Sequence, residues 1–237
     1  MASRRTYGSY DDGCAAAHAL DLVGERWTLI VVRELLLGPK RFTDLQRDVL
    51  GIGPAVLTQR LHDLEDVGVV DRRRLPGPGR VEAYGLTAWG HELEAVNTAL
   101  SRWAVASPTL PLEAGMSPDT VVLAMRAHAR PVPGRGRRVA GEPGAAEERV
   151  ALHLTDSRRP GAEPVTYLAR LTDDATTVVR SPDPGPVDAE AWATTTDWKA
   201  CIIGGAPLEG LPDVRTTGSP AAVRRLIDAT CLQVRRP

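Results

Sequence analysis

The sequence predicts an α+β chain in two parts: a mainly α first domain that carries one β-hairpin, and a second domain that is itself α+β. Three observations predict it. The 237 residues exceed what one small core requires and suffice for two. From residue 14 to about 105 the chain reads as short helical patterns with glycine stops, interrupted once by a strand–turn–strand signal. After Ala106 the texture changes to alternating apolar runs separated by turns, with a helix pattern at either end. The domains are accordingly drawn at residues 1–106 and 117–237, with SPTLPLEAGM at 107–116 as the linker.

In chain order, CAAAHALDLVG (14–24) sets Ala16, Ala19, Leu20 and Val23 at helical spacing and stops at Gly24; WTLIVVRELLLG (27–38) stops at Gly38 with Pro39 behind it. Thr43-Asp44-Leu45-Gln46 has the form of a capping box, in which hydroxyl and amide satisfy each other's orphan backbone donors, so a third helix is expected to begin at Asp44 and end before Gly51. Gly53-Pro54 opens a fourth over Pro54–Val67, because proline at the first helical position gives up only an N–H that has no partner there. Leu57, Leu61 and Leu64 form its core stripe. Ala55, Gln59, His62 and Asp66 fall on the opposite face, flanked by Thr58 and Arg60, and Gly68 ends the helix. Val69-Val70 starts a strand, RRRLPGPGR (72–80) turns it, and VEAYGL (81–86) returns as its partner. Thr87 caps a longer helix whose apolar residues Trp89, Leu93, Val96, Leu100 and Trp103 step by four, three, four and three. That is the spacing of a coiled-coil seam, and a seam requires a partner helix; a twin chain, giving a homodimer, is preferred here to the protein's own second domain.

In the second part, Ser117-Pro118 caps a helix with Val121, Val122 and Met125, and RPVPGRGRRVAGEPGAAEE (130–148) reads as a loop. RVALHLTD, VTYLARLTD and TTVVRS read as strands, helical segments are expected at Asp188–Ala193 and Asp197–Ile203, and Ser219-Pro220 caps a last helix with Val223, Leu226, Ile227 and Thr230.

Bulk properties exclude several function classes. With 29 basic against 30 acidic residues the chain is no polybasic coat, so any nucleic-acid site must be a local patch. The three cysteines lie in no CxxC or Cys/His spacing and the five histidines share no ligand pattern, which predicts neither metal nor cofactor and fits a reducing cytosol. No apolar run reaches the roughly 20 residues of a membrane span, and the N-terminus lacks a signal core, so a cytoplasmic protein is expected. The second domain contains Asp, His and Ser residues but no GxSxG, phosphate-loop or HExxH motif and no paired carboxylates at a helical step, and the chain is not read as an enzyme.

Three short helices followed by a hairpin is the order of a winged helix-turn-helix. The Pro54–Val67 helix would enter a DNA major groove and the arginine-bearing hairpin would straddle the neighbouring backbone. Thr58, Gln59 and His62 can reach base edges, although His62 is equally well an ordinary exposed polar residue. Arg41, Arg60, Arg72, Arg74 and Arg80 suit phosphates, and Thr43 with the N–H groups at its helix start offers another phosphate seat. Taken alone, Arg72-Arg73-Arg74 would be a solvated charge run; its place between a recognition-type helix and a turn makes it a wing.

GERWTLIVVRELLLGPKRFTDLQRDVLGIGPAVLTQRLHDLEDVGVVDRRR, with Cys14 upstream and AYGLTAWGHEL downstream, closely resembles the HxlR-type transcriptional regulators, relatives of the MarR group, over about residues 10 to 106. The resemblance implies a dimeric winged-helix regulator, more a repressor than an activator, on a roughly palindromic double-stranded operator. Ala55 departs from the polar or basic residue common at that position. Cys14 matches a cysteine through which some relatives sense oxidants or electrophiles; a small buried residue at the dimer base is the plainer reading, since no cation neighbours it in sequence. Residues 188 to 230, with "TTDW" and "GSPAAVRRL", more loosely resemble the sterol carrier protein type two-like fold. That likeness implies an apolar tunnel for a small hydrophobic effector, with Tyr167, Trp192, Trp198, Ile202, Ile203 and Leu226 as its lining. The alternative is a regulator that responds through Cys14, with the second domain as a protein-interaction module.

Overall fold

A computed structural model describes residues 9–75, 81–133 and 147–232 of the chain, which divides into two units, Met1–Asn97 and Thr98–Pro237. The hairpin tip 76–80, and with it Arg80, and most of the arginine-rich loop at 134–146 lie outside the described residues.

In the first unit the glycine and proline signals place most helix ends. Helices α1 (Ala15–Val23), α2 (Thr28–Leu35), α3 (Phe42–Asp48) and α4 (Pro54–Asp66) precede strands β1 (Val70–Leu75) and β2 (Val81–Leu86), and α5 (Ala88–Ala104) begins in this unit and ends in the next. The leucine stripe of α4 is wholly buried at Leu57, Leu61 and Leu64, as are Val31, Val32 and Leu35 of α2 and Leu45 of α3. Each such leucine contributes roughly 1.5–3 kcal/mol relative to exposure. Gly68 ends α4 at φ +77, a left-handed turn that swings the chain directly into β1. Thr87 caps α5 as expected, its Oγ1 accepting the Gly90 N–H at 3.0 Å and donating to the Gly68 carbonyl at 2.8 Å. One oxygen thus ties the start of α5 to the end of α4.

The third helix corrects the capping-box expectation. It begins at Phe42, with Arg41 as its extended N-cap, so Thr43 lies inside the first turn and its hydroxyl caps nothing. The reason is upstream: Lys40 exchanges backbone hydrogen bonds with Tyr84 of β2, at 2.9 and 2.8 Å, and is held extended as a third rung of the hairpin. The helix can start only once the chain leaves that rung. Asp44 then supplies the acidic group of the first turn.

The second unit is a five-stranded sheet in the order β5-β4-β3-β6-β7, formed by β3 (Glu148–Thr155), β4 (Val165–Leu171), β5 (Thr176–Arg180), β6 (Ala189–Thr194) and β7 (Arg215–Gly218). Only the β3–β6 pair is parallel. Helices α6 (Pro118–His128), α7 (Thr195–Ile202) and α8 (Pro220–Thr230) cover the face carrying Val150, Leu152, Leu154, Tyr167, Ala169 and Leu171. Ser117 and Ser219 cap α6 and α8 through the N–H groups of Thr120 and Ala222, as their Ser-Pro signatures predict. Residues 188–193, expected to be helical, instead lead into and form most of β6 (Ala189–Thr194). Ala189, Ala191 and Ala193 alternate inward with Glu190 and Trp192 on the other face, a period of two that an alanine-rich composition conceals.

Candidate nucleic-acid interface

The α4 helix that buries its leucines turns Ala55, Thr58, Gln59, His62 and Asp66 to solvent, while Arg60 is half-buried. Each polar candidate is already engaged within the chain. Thr58 Oγ1 donates to the Pro54 carbonyl at 2.9 Å, Gln59 Nε2 donates to Asp63 at 2.7 Å, and His62 Nδ1 lies 3.0 Å from Asp66. Arg60 approaches Asp63 at 3.3 Å and Glu25 at 3.6 Å. Any base that these groups read must displace a neighbour one helical turn away.

The wing shows the same pairing. Arg72 makes a two-pronged contact with Glu65, at 2.8 and 3.2 Å, and stacks over the Tyr84 ring at 5.4 Å. Arg73 grips Asp71 at 2.6 and 3.2 Å and donates to the Leu86 carbonyl. Because side chains alternate along β1, Arg72 and Arg74 project from one face and Arg73 from the other. Arg74 is exposed and has no ion pair among the described residues. Among the described wing cations it is the one most ready for an outside anion.

Behind the wing runs a chain of alternating charges that periodicity did not reveal. Arg41 binds Asp44 at 2.7 Å, Arg47 binds both Asp44 and Asp48 at 2.8 Å, and Lys40 reaches Asp48 at 3.0 Å and Glu34 at 2.8 Å. Arg33 closes it on Glu34 at 2.8 Å. The chain passes from the half-exposed Arg41 to Lys40 and Glu34, whose side chains are 5% and 0% exposed. Burial pushes the Glu34 carboxyl up, but Lys40 and Arg33 more than offset it and hold the group below the usual carboxylate range; Asp48 is held low in the same way by Arg47 and Lys40. Its sequence signal was slight: Lys40 is one of two lysines in a chain that otherwise uses arginine. Lys ammonium is the compact cation that two buried carboxylates can share.

Arg41 therefore serves Asp44 before any phosphate, and Thr43, exposed in the first turn of α3, is close in sequence to the same acid. Along α5, Trp89, Val96 and Leu100 are 42–50% exposed, Trp103 is 79% exposed, and Leu93 is half-buried, so the seam is an apolar stripe facing outward. On α1, Leu20 is also exposed. Cys14 is exposed at the N-cap of α1, where the backbone N–H groups of Ala17 and Ala16 lower its thiol pKa. The cation missing from its sequence neighbourhood is replaced by a helix start.

The six residues expected to line one ligand tunnel are not brought to one cavity. Tyr167, Trp198, Ile202 and Leu226 are packed between sheet and helices, Tyr167 donating to Asp119 at 2.6 Å and Trp198 Nε1 to the Met125 sulfur at 3.3 Å. Ile203 is half-buried at the end of α7. Trp192 lies on the opposite face of the sheet, stacked on His153 with ring centroids 4.8 Å apart, because residue 192 of β6 pairs with 153 of β3 and not with the core positions 152 and 154. Among the described residues no helix is long and apolar enough to cross a membrane.

Comparison with known proteins converges on the first unit. The profile of the HxlR-like helix-turn-helix family matches residues 22–108. An uncharacterised HTH-type transcriptional regulator of Mycobacterium bovis is 40% identical over 92 residues, 39% of this chain and 58% of its own length. The HTH-type transcriptional regulator YodB of Bacillus subtilis is 35% identical over 86 residues, covering 36% of this chain and 77% of that protein. The solved reduced form of YodB covers 40% of this chain and 95% of its own at 32% identity, with a TM-score of 0.37. The chain thus spans less than two thirds of the mycobacterial relative's length.

Proposed function

The chain belongs to the HxlR-like helix-turn-helix family, and on that premise we propose that it is a homodimeric transcriptional regulator, most simply a repressor, that binds a roughly palindromic operator through α4 and the β1–β2 wing. One observation carries the reading: α4 buries a complete leucine stripe while presenting Thr58, Gln59 and His62 outward, and runs within four residues into a strand whose Arg72 and Arg74 share one face. Gln59 reads a base edge; Arg74 holds a phosphate; Arg41, Arg60, Arg72 and Arg80 with Thr43 support the backbone contact. The outward stripe on α5 supports pairing through Trp89, Leu93, Val96, Leu100 and Trp103, which spaces two recognition helices for adjacent turns of one duplex.

Binding to operator libraries tests these roles. Gln59→Ala is expected to relax sequence choice, whereas Arg74→Ala weakens all duplexes alike and flattens the salt dependence by about 0.9 in log–log slope, one phosphate contact. Equal losses of the same kind from both substitutions would refute the assignment.

The second unit, in the same proposal, senses a small hydrophobic effector; its support is the resemblance of residues 188–230 to sterol carrier domains, and its pocket is not the six-residue lining expected from sequence, which the sheet divides between its two faces. An effector that prefers the DNA-free dimer tenfold shifts the equilibrium by about 1.4 kcal/mol. A second reading has one observation in its favour: the exposed Cys14 thiol at a helix N-terminus suits an electrophile-responsive regulator, with the second unit as an interaction module. Operator release on treatment with a quinone, abolished by Cys14→Ser, distinguishes it from effector sensing.

A further inference from the structure

The two cysteines of the second unit open on a single cavity. It holds about 290 Å³ between the end of α7, the loop after it and the C-terminal half of α8, and Cys201, Pro207, Glu209, Arg224, Ile227 and Cys231 are among its walls. Glu209 and Arg224 clasp each other beside it at 2.7 Å. The backbone is tied across the same place: Leu232 N–H donates to the Ile202 carbonyl at 2.7 Å, so the segments carrying the two thiols touch one residue beyond each cysteine.

The two sulfurs have different surroundings. Cys231 is half-buried, and Arg130 grips its residue twice, Nη1 donating to the Cys231 carbonyl at 3.1 Å and Nη2 to Sγ at 3.3 Å. A guanidinium in contact with sulfur, beside an opening, is the setting that reactive cysteines share. Cys201 is buried; burial foremost, then Asp197 and Glu209, pushes its thiol up to about 11, which keeps it protonated. One sulfur is placed for attack and the other for resolution.

We propose that Cys201 and Cys231 form a peroxide-oxidisable thiol pair that closes to an intrachain disulfide. The Cys231 sulfur attacks a hydroperoxide oxygen; the S–O bond forms, the O–O bond breaks, and the departing oxygen leaves as water, or as an alcohol from an organic hydroperoxide, with the thiol proton. The peroxide is reduced and Cys231 becomes a sulfenic acid. The Cys201 sulfur then attacks that sulfur, forming S–S, while the hydroxyl departs as water with the Cys201 proton. Arg130 is the positioning residue. The pair is independent of the DNA reading and of Cys14, which belongs to the other unit.

The test uses the full chain carrying Cys14→Ser, treated with hydrogen peroxide, denatured, alkylated and mapped by mass spectrometry. Two thiols should disappear together, with one peptide cross-linked between positions 201 and 231. In Cys201→Ser, Cys231 should stop at a sulfenic acid captured by a 1,3-diketone; in Cys231→Ser, Cys201 should stay reduced. Arg130→Met, with native circular dichroism, should slow thiol loss by about tenfold. Full alkylation of both thiols after peroxide treatment of the folded chain would overturn the proposal. So would a purely interchain cross-link, or oxidation of Cys201 in the absence of Cys231.

Discussion

Replacing Lys40 by methionine removes the cation that Glu34 and Asp48 share. Breaking a buried pair by deleting one partner ordinarily costs about 3–5 kcal/mol, because the charge left behind is neither solvated nor matched. Here each carboxylate retains an arginine, Arg33 on Glu34 and Arg47 on Asp48, so the expected loss is at the lower end, about 3 kcal/mol. Two units with separate cores make a single unfolding transition an unsafe measure, so the assay is amide exchange in the intact chain, read from peptides covering Val31, Val32 and Leu35 of α2. The dependence on pH is a sharper test. The folded-state pKa values of Glu34 and Asp48 lie below their ordinary values of 4.5 and 3.8, so in the native protein these groups contribute stability above those values and lose it as pH falls through the depressed ones. Without Lys40, burial prevails at Glu34 and its carboxyl takes up a proton at higher pH, which relieves the unmatched charge. The gap between native protein and variant should therefore narrow as pH is lowered toward 4.5. A loss under about 1 kcal/mol, or a gap that does not change with pH, would show that the charge chain is not what holds the base of the wing.

Two further outcomes follow from the same unit and the helix that leaves it. A Cβ at Gly90 would lie 2.1 Å from the Val69 carbonyl oxygen, a backbone atom that cannot yield, so Gly90→Ala should displace the start of α5 from β1 and cost more than about 2 kcal/mol by the same exchange measurement; unchanged protection would contradict the packing described. Trp103→Ser should raise the dimer dissociation constant about tenfold or more in sedimentation equilibrium, since a large exposed aromatic on an apolar stripe is the kind of residue that anchors an interface. An unaltered equilibrium would move the interface away from the α5 seam.

What could be read in the sequence was what depends on local chemistry. Gly53-Pro54, Gly68, Thr87, Ser117-Pro118 and Ser219-Pro220 each mark an element end through a constraint carried by one or two residues, and each does so in the structure. The leucine stripe of α4 was legible because helical spacing and burial report the same periodicity. What depends on distant partners was not. The start of α3 is decided by Tyr84, some forty positions on, and the buried charge chain joins Glu34, Lys40 and Asp48 at separations no period predicts. Trp192 and Trp198 are six residues apart and looked like one lining, yet one lies on a strand and the other on the helix beyond it, on opposite sides of the sheet.

The pairing of cations with the chain's own acids bears on how the proposed reader would behave. Arg41, Arg47, Arg60, Arg72 and Arg73 each already share a carboxylate, so a phosphate arriving at one of them exchanges one charge-assisted bond for another and leaves an aspartate or glutamate facing the duplex. The net gain per contact is small, and the acids left behind repel neighbouring phosphates. Such a surface would bind arbitrary DNA poorly, because nonspecific affinity comes almost wholly from phosphate neutralisation. In the proposed mode a matched site would add what mismatched DNA lacks: base-edge bonds that offset the release of Gln59 and His62 from Asp63 and Asp66. Internal ion pairing would then raise the ratio of specific to nonspecific binding, at the expense of absolute affinity, in a chain whose overall charge of −1 provides no long-range attraction to DNA.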